Sequence, residues 1–387
     1  MILSVDQKKI LNKLFSWFKN KGKTSYITLG GYAGTGKTTL ISVFRKKINQ
    51  ENKKIKIAFC SYTGKATRTL TSKLKETASF YPQDSISTIH SLIYSPIVDK
   101  NEEIVGWERR NKVKTDLIIV DEASMIDFSI WQDLLSYQIP IIAVGDHGQL
   151  PPINGSFNLM EKPMLRLEKI HRQAENNPII KLSILAREKG EIPEGGYGPN
   201  IQKIRRDNPE SGEAVEQLLL DYNPETLILC GYNSTRVRIN NFIRKSLDFD
   251  SEEPQVRDRV ICLRNNHTKK IYNGMLGTIK SIYRKSDHWY SAEIQMDGEE
   301  GKYQGLIFAD QFGNKDSVNF TSDRRLAKIG DLFDFGYALT VHKAQGSEAK
   351  RVILFEERFG RMTDSDWRRW LYTGITRAQE ELFIVGV

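Results

Sequence analysis

Residues 31–38 read GYAGTGKT, a complete GxxxxGK[ST] string whose chemistry is the cradling of phosphates. Glycines let the main chain wrap closely around an oxyanion, and the N–H groups of the loop and of the following helix then face its charge. Gly31, Ala33, Gly34, Thr35 and Gly36 make up the expected wrap, with Thr39 just beyond it. Lys37 would neutralise the β- and γ-phosphates, and Thr38 would bind magnesium through its hydroxyl. A second string, DLIIVDEASM, delivers two acids to the end of an apolar strand. Asp121 would hold magnesium through its water shell, and Glu122 would orient and deprotonate an attacking water. Two adjacent acids alone often mark a solvated turn; beside a phosphate loop they point to nucleotide hydrolysis. ATP and Mg2+ are the expected ligands.

Such side chains must be delivered from strand ends. The strings YITLGG, KTTLISVFRKKI, KIAFCSYT, KATRTLTSKL, DLIIVDE and PIIAVGD alternate short apolar strands with helical patterns, which predicts an α/β fold with a helix-flanked parallel sheet. Ligands of such folds bind beyond the carboxyl ends of the strands. Ahead of them, Ile10, Leu11, Leu14, Phe15 and Phe18 recur at helical spacing, so an amphipathic helix is expected over the first twenty residues. Residues 93–114 interrupt the rhythm with two β-like runs around a polar turn, which predicts an inserted hairpin. The string GEIPEGGYGPN, residues 190–200, reads as a linker or long surface loop. A second α/β pattern starts at TLILCGYN and STRVRINNFIRKSL, is interrupted by β-rich residues 260–331, read as a small inserted barrel, and resumes through FGYALTVHKAQGSE, RVILFEE and ELFIVGV.

Bulk properties narrow the partners. The chain has 387 residues, enough for two or more domains, and 57 Lys and Arg against 48 Asp and Glu, a net charge of +9. That balance suits a polyanion, although a solvated basic surface would produce it equally well. Cys60, Cys230 and Cys262 are too dispersed for a CxxC pair or zinc cluster, which suggests a reducing compartment and no structural metal. No apolar run approaches the roughly 18 residues of a membrane span. A soluble, cytoplasmic protein without a membrane partner is expected.

Taken in order, the remaining motifs resemble superfamily 1 helicases, within them the RecD-like, Dda-like group, superfamily 1B. The resemblance covers nearly the whole chain. Gln7 stands where that family's adenine-reading glutamine would be. GDHGQLPP, residues 145–152, resembles the motif in which Gln149 would sense the γ-phosphate. Arg172 in KIHRQ and Arg377 in LYTGITRAQE resemble two family arginines, whose forked guanidinium groups suit the equatorial oxygens of a loose phosphoryl-transfer transition state. In ALTVHKAQGSE, residues 338–348, the resemblance implies that Thr340 and His342 face a nucleic-acid backbone, while Gln345, Gly346 and Glu348 lie toward the nucleotide. Thr63 in SYTGKA and Thr88 with His90 in STIH resemble phosphate-holding motifs, although threonine at a strand end is also commonly structural. The inserted hairpin matches the position of a duplex-splitting pin, with Trp107 either a wedge or a packing residue. The inserted barrel matches an SH3-like domain, in which Lys269, Lys270, Arg324 and Arg325 would guide the strand or form a solvated face.

The resemblance implies two RecA-like domains: residues 1–170, carrying a hairpin at 91–114, and residues 171–260 with 331–387, carrying an SH3-like barrel at 261–330. It further implies a monomeric 5′-to-3′ DNA helicase acting on single-stranded DNA and on junctions of single-stranded with double-stranded DNA, in a bacterial or phage-infected cell. A single-strand-binding or replication protein is its expected loading partner. An RNA-acting motor, and a nucleic-acid clamp that does not travel, are the alternatives.

Overall fold

The computed structural model describes residues 3–20, 25–98, 104–152, 157–169, 177–208, 210–266, 268–269, 271–299, 301–316, 326 and 329–387. The chain divides into two compact units, Met1–Lys181 and Leu182–Val387.

In the first unit, α1 (Val5–Lys19), β1 (Tyr26–Gly31), α2 (Lys37–Glu51), β2 (Ile57–Ser61), α3 (Gly64–Glu76), β3 (Ser85–Thr88), α4 (Ile89–Ile93), β4 (Tyr94–Val98), β5 (Ile104–Arg109), β6 (Leu117–Asp121), α5 (Phe128–Leu135), β7 (Ile141–Gly145) and β8 (Leu165–Leu167) follow in order. Six of the strands make a sheet of order β3-β2-β6-β7-β1-β8, parallel at every pairing. The apolar runs are continuous because both faces are covered. Ile57 and Phe59, Leu117 and Ile119, and Ile142 and Val144 pack on the side of α1 and α2. Their alternates, Ala58 and Cys60, Ile118 and Val120, and Ile141 and Ala143, pack on the side of α4 and α5. The expected N-terminal helix is present, buries all five apolar positions that defined it, and starts with a capping box in which Ser4 and Gln7 satisfy each other's backbone N–H. Strands β4 and β5 pair with each other alone, antiparallel.

In the second unit, α6 (Pro178–Lys189, on which the division between units falls), β9 (Gly195–Gly198), β10 (Ile201–Arg205), α7 (Ser211–Leu220), β11 (Thr226–Cys230) and α8 (Asn233–Ser246) precede β12 (Arg259–Cys262), β13 (Leu276–Ser286), β14 (Trp289–Met296), β15 (Lys302–Phe308) and β16 (Phe333–Phe335). Then come β17 (Ala338–Thr340), β18 (Ala349–Phe355), α9 (Asp364–Ile375) and β19 (Ala378–Gly386). The main sheet has the order β17-β11-β18-β19-β10-β9, parallel except at its β10–β9 edge. Strands β12 to β16 form a separate five-stranded antiparallel sheet, order β15-β14-β13-β12-β16, around a core that includes Ile279, Ile294, Ile307 and Phe333.

The reading of residues 190–200 as a linker or loop is corrected in part: Gly195–Gly198 is an edge strand. An edge strand needs only its backbone N–H and C=O groups, so the weak strand preference of glycine does not prevent pairing. Gly190 does end a helix, at φ 72°, with its N–H donating to Leu185 O and Ala186 O. Among the described residues, no helix is long and apolar enough to cross a membrane.

The helix that follows the glycine loop is anchored by a buried ion pair. Arg45 of α2 donates to both oxygens of Asp84, at 2.8 and 3.0 Å, with both side chains wholly buried. Asp84 also accepts from the backbone N–H groups of Ile57 and Tyr81, which ties α2 to β2 and to the approach of β3. Removing one partner of such a pair strands a buried charge. Asp84→Ala should therefore destabilise the first unit by about 3–5 kcal/mol, read as lost hydrogen-exchange protection in α2 and β2. The paired change Arg45→Met with Asp84→Leu should recover most of that loss.

Candidate nucleotide and nucleic-acid site

The glycine loop joins β1 to α2. Gly34 and Gly36 both adopt φ 78°, a left-handed conformation that glycine takes without a Cβ clash, and this turns successive N–H groups inward as an anion nest. A Cβ on Gly31 would lie 2.6 Å from Thr35 Oγ1 and 3.2 Å from Lys37 Cγ, so the cradle exists because that atom is missing. Thr35 is fully buried and donates through Oγ1 to Tyr32 O at 2.7 Å. Lys37 Nζ donates to Gly31 O at 2.7 Å and Tyr32 O at 3.1 Å, which holds the ammonium against the loop. The first turn of α2 has no acidic residue and no side-chain cap, leaving its positive end for an external anion. Thr38 and Thr39 lie in that turn. Donor set and cradle fit a nucleoside triphosphate, and the Thr38 hydroxyl and Asp121 carboxylate are hard oxygen donors of the kind magnesium takes.

Gln7 is only 2% exposed. Its Nε2 donates to Thr35 O at 3.1 Å and its Oε1 accepts from Ser4 N, so α1 is fastened to the loop by the side chain expected to read adenine. On the other side, the ring of His147, from the GDHGQ string after β7, packs on Tyr32 with centroids 4.1 Å apart. Gln149 is 5% exposed, and its Oε1 has no hydrogen-bond partner among the described residues. Asp121 closes β6, and its Oδ1 accepts from Glu122 N at 3.0 Å. Glu122 has φ 54°, a conformation uncommon for a residue with a Cβ and often found where strain serves function. The first sheet thus gathers Gln7, the glycine loop and the GDHGQ turn; strand β7 stands between β1 and β6.

Of the strand-facing candidates in this unit, Thr63 and Thr88 are the N-caps of α3 and α4, accepting from Ala66 N and Ser91 N. Their hydroxyls therefore have a structural task. His90 packs against Tyr62 and Tyr94, and burial lowers its pKa, which favours the neutral imidazole. Trp107 lies on β5 opposite Pro96 and is 40% exposed. Arg172 lies outside the described residues.

In the second unit, Thr340 ends β17 in register with Cys230 of β11, and Val341 N donates to Cys230 O. The pKa of His342 is lowered by burial, so it too favours the neutral form. Gly346 has φ 72° and lies in the turn that joins β17 to β18. Arg377 is 3% exposed and donates from Nε to Thr373 O, from Nη1 to Ser347 O and from Nη2 to Thr376 Oγ1. Gln379 Nε2 donates to Glu348 at 3.0 Å. The two strings are thereby locked together, and Arg377 is held inside its own unit. Lys269 is paired with the buried Asp331 at 2.9 Å, so its charge is committed within the antiparallel sheet. Lys270, Arg324 and Arg325 lie outside the described residues.

Two contributors escaped the sequence reading. His147 was passed over inside its own motif, because Tyr32, the ring it packs on, sits in the other motif. Glu357 accepts from Gly231 N, Tyr232 N and Thr235 Oγ1, fastening the start of α8 to the end of β18. The second of two adjacent Glu residues after a strand has no sequence signal for that role.

A glycine loop after the next-to-last strand of a parallel sheet, with an acidic strand two places away and a second parallel-sheet unit in the same chain, defines a P-loop NTPase of the two-lobed kind. Residues 18–155 match the family model described as an AAA domain, and residues 335–385 match the UvrD-like helicase C-terminal domain. The chain is 27% identical over 407 residues to the ATP-dependent RecD2 DNA helicase of Deinococcus radiodurans, with 99% of this chain and 49% of that protein aligned. It thus spans about half the length of that relative. It is 30% identical to the uncharacterized protein R530 of Acanthamoeba polyphaga mimivirus, over 98% of this chain and 99% of the other. With the ATP-dependent DNA helicase dda of phage T4 it shares 24% identity over 99% of both. The structure of Bacteroides Pif1 helicase with ADP-AlF3 and ssDNA has the same fold at TM-score 0.54 and 17% identity, covering 99% of this chain and 92% of that one. The chain thus carries the AAA domain and the UvrD-like helicase C-terminal domain and is similar along nearly its whole length to RecD- and Dda-type helicases, while its likeness to Pif1 is one of fold.

The contact around Gly31 yields a direct test. Gly31→Ala should weaken nucleotide binding by about 1–3 kcal/mol, the usual range for an overpacked site, measured by titration with a fluorescent ATP analogue, while leaving the melting of the second unit unchanged.

Proposed function

We propose that this chain is an ATP-dependent DNA helicase that translocates 5′-to-3′ along single-stranded DNA and unwinds duplex at junctions. The observation that carries the proposal is the combination of the phosphate nest at the β1–α2 turn with the interlocked 346–348 and 377–379 strings of the second unit.

In this reading Lys37 and the loop N–H groups bind the β- and γ-phosphates. Thr38 and Asp121 hold magnesium, which when bound neutralises charge on those phosphates. Glu122 takes a proton from the attacking water, Gln149 senses the γ-phosphate, and Gln7 senses the base through its hold on the loop. Arg172 and Arg377 stabilise the equatorial oxygens. Since Arg377 rests on three acceptors of its own unit, turnover requires the guanidinium to exchange at least some of them for the phosphate. That exchange would couple nucleotide state to the Gly346–Glu348 turn and so to Thr340 and His342.

Thr63, Thr88, His90, Thr340 and His342 are the proposed contacts to the strand. Contacts from hydroxyl, amide and neutral imidazole groups position a backbone without reading sequence. The β4–β5 hairpin is the proposed pin, with Trp107 its wedge, and the β12–β16 sheet the proposed SH3-like insertion. The proposed domains are 1–170 with the pin at 91–114, and 171–260 with 331–387 around the insertion at 261–330. The motor is proposed to act as a monomer in the cytoplasm of a bacterial or phage-infected cell, with a single-strand-binding or replication protein as loader.

Arg377→Ala should lower DNA-stimulated ATP turnover by roughly three orders of magnitude with little change in nucleotide affinity. Glu122→Gln should bind ATP normally but not hydrolyse it, and normal turnover in either variant would remove the role assigned to that residue. In strand displacement, duplexes with a 5′ single-stranded tail should be unwound and those with a 3′ tail should not; the reverse preference rejects the proposed polarity. ATPase stimulation by single-stranded RNA equal to that by DNA would move the substrate assignment to RNA.

A further inference from the structure

A cavity of about 590 Å3 lies on the outer face of α8, wholly within the second unit and lined by none of the residues proposed to contact nucleotide or strand. Ser234, Arg238, Asn241, Phe242, Lys245 and Lys315 are among its lining residues. Its volume is within the roughly 300–1,000 Å3 of ligand sites. Among the described residues, no acidic side chain lines it.

Helix α8 sorts its cations. Arg236 and Arg244 face inward, and each has a dedicated buried carboxylate, Asp334 at 2.7 Å and Asp258 at 2.9 Å. Arg238 and Lys245 face outward and are exposed, and Lys315 approaches them from a different segment. Among the described residues none of these three makes an ion pair within 4.0 Å. Such isolated cations are ordinary on an open surface; three converging on one cleft make a positive site. Arg236 also helps set the groove's width, because its Nη2 donates to Asn314 O at 2.6 Å and so holds the chain beside Lys315 against α8.

The spacing and the floor select the ligand. Arg238 and Lys245 are two helical turns apart, about 10 Å at about 1.5 Å per residue, which is longer than one phosphate group. A polyanion with repeated charges fits that separation, whereas inorganic phosphate does not. Phe242 lies between them in sequence, half-buried against the core of the unit, with Ser234 and Asn241 as hydrogen-bonding neighbours. An aromatic face beside a row of cations is the arrangement that stacks a base while its phosphates are neutralised.

We infer that this groove is an accessory binding site for a short stretch of single-stranded nucleic acid, with phosphates on Arg238, Lys245 and Lys315 and a base against Phe242. The inference rests on the reading of the chain as a nucleic-acid motor. The site is separate from the contacts proposed for Thr340 and His342, so a long strand would engage both.

The test uses the full chain and fluorescein-labelled oligothymidylate, with binding followed by anisotropy across a salt series. The triple variant Arg238→Ala, Lys245→Ala, Lys315→Ala should bind at least about tenfold more weakly at low salt. The slope of log affinity against log salt should fall by about 2, at roughly 0.7 per phosphate contact on a single strand. Unstimulated ATP hydrolysis should be unchanged. Phe242→Leu should weaken binding of oligothymidylate but not of an abasic oligomer. A wild-type salt slope in the triple variant overturns the inference, as does displacement of oligothymidylate by oligoglutamate of equal charge at equal affinity, which would assign the groove to acidic peptides. If the wild-type chain binds no oligonucleotide, the motor reading falls too; if it binds and the triple variant matches it, the groove alone falls.

Discussion

A phosphate can be held by main chain alone only where several backbone N–H groups converge on it, and such close convergence favours a main chain free of Cβ atoms. At the β1–α2 turn the missing Cβ of Gly31 and the left-handed Gly34 and Gly36 meet that requirement. The unblocked first turn of α2 adds its partial charge. Much of the first unit then serves to keep this turn in place. Gln7 ties α1 to Thr35, His147 packs on Tyr32, and the Arg45–Asp84 pair holds α2 to the sheet.

The second unit uses the same architecture for a different end. Its strand-to-helix turn, between β11 and α8, is occupied by a carboxylate of the chain itself, Glu357, bonded to two backbone N–H groups and a hydroxyl. An anion from within thus takes the position at the helix start that an external phosphate takes in the first unit. The parts proposed to work in this unit lie elsewhere, in the turn where Arg377 and Gln379 grip Ser347 and Glu348. Buried ion pairs from α8 to Asp334 and Asp258 connect the parallel sheet to the antiparallel one. Because such pairs lose heavily when one member is removed, they favour the two sheets moving as one body.

The phosphate loop and the alternating strands were legible because their physics is local. Eight consecutive residues carry the whole nest, and a short continuous apolar run marks each central strand with both faces buried. Other features escaped for the opposite reason. The edge strand Gly195–Gly198 forms through backbone bonds alone, so no side-chain pattern announces it. Thr63 and Thr88 were candidates for phosphate contact, and only coordinates revealed that each hydroxyl also caps a helix. Lys269 looked like a surface cation and is paired with Asp331, far along the chain.

The amino-acid sequence by itself determined the phosphate-binding loop, the acids at the end of β6, the α/β class of both lobes and the helicase resemblance, since each depends on residues adjacent in the chain. Tertiary structure decided what those residues touch: that Gln7 holds the loop, that Arg377 lies buried against Ser347, and that cations of α8 either meet a carboxylate or face an open groove. Those outcomes depend on contacts between segments tens of residues apart, and a linear pattern carries no distance across such separations.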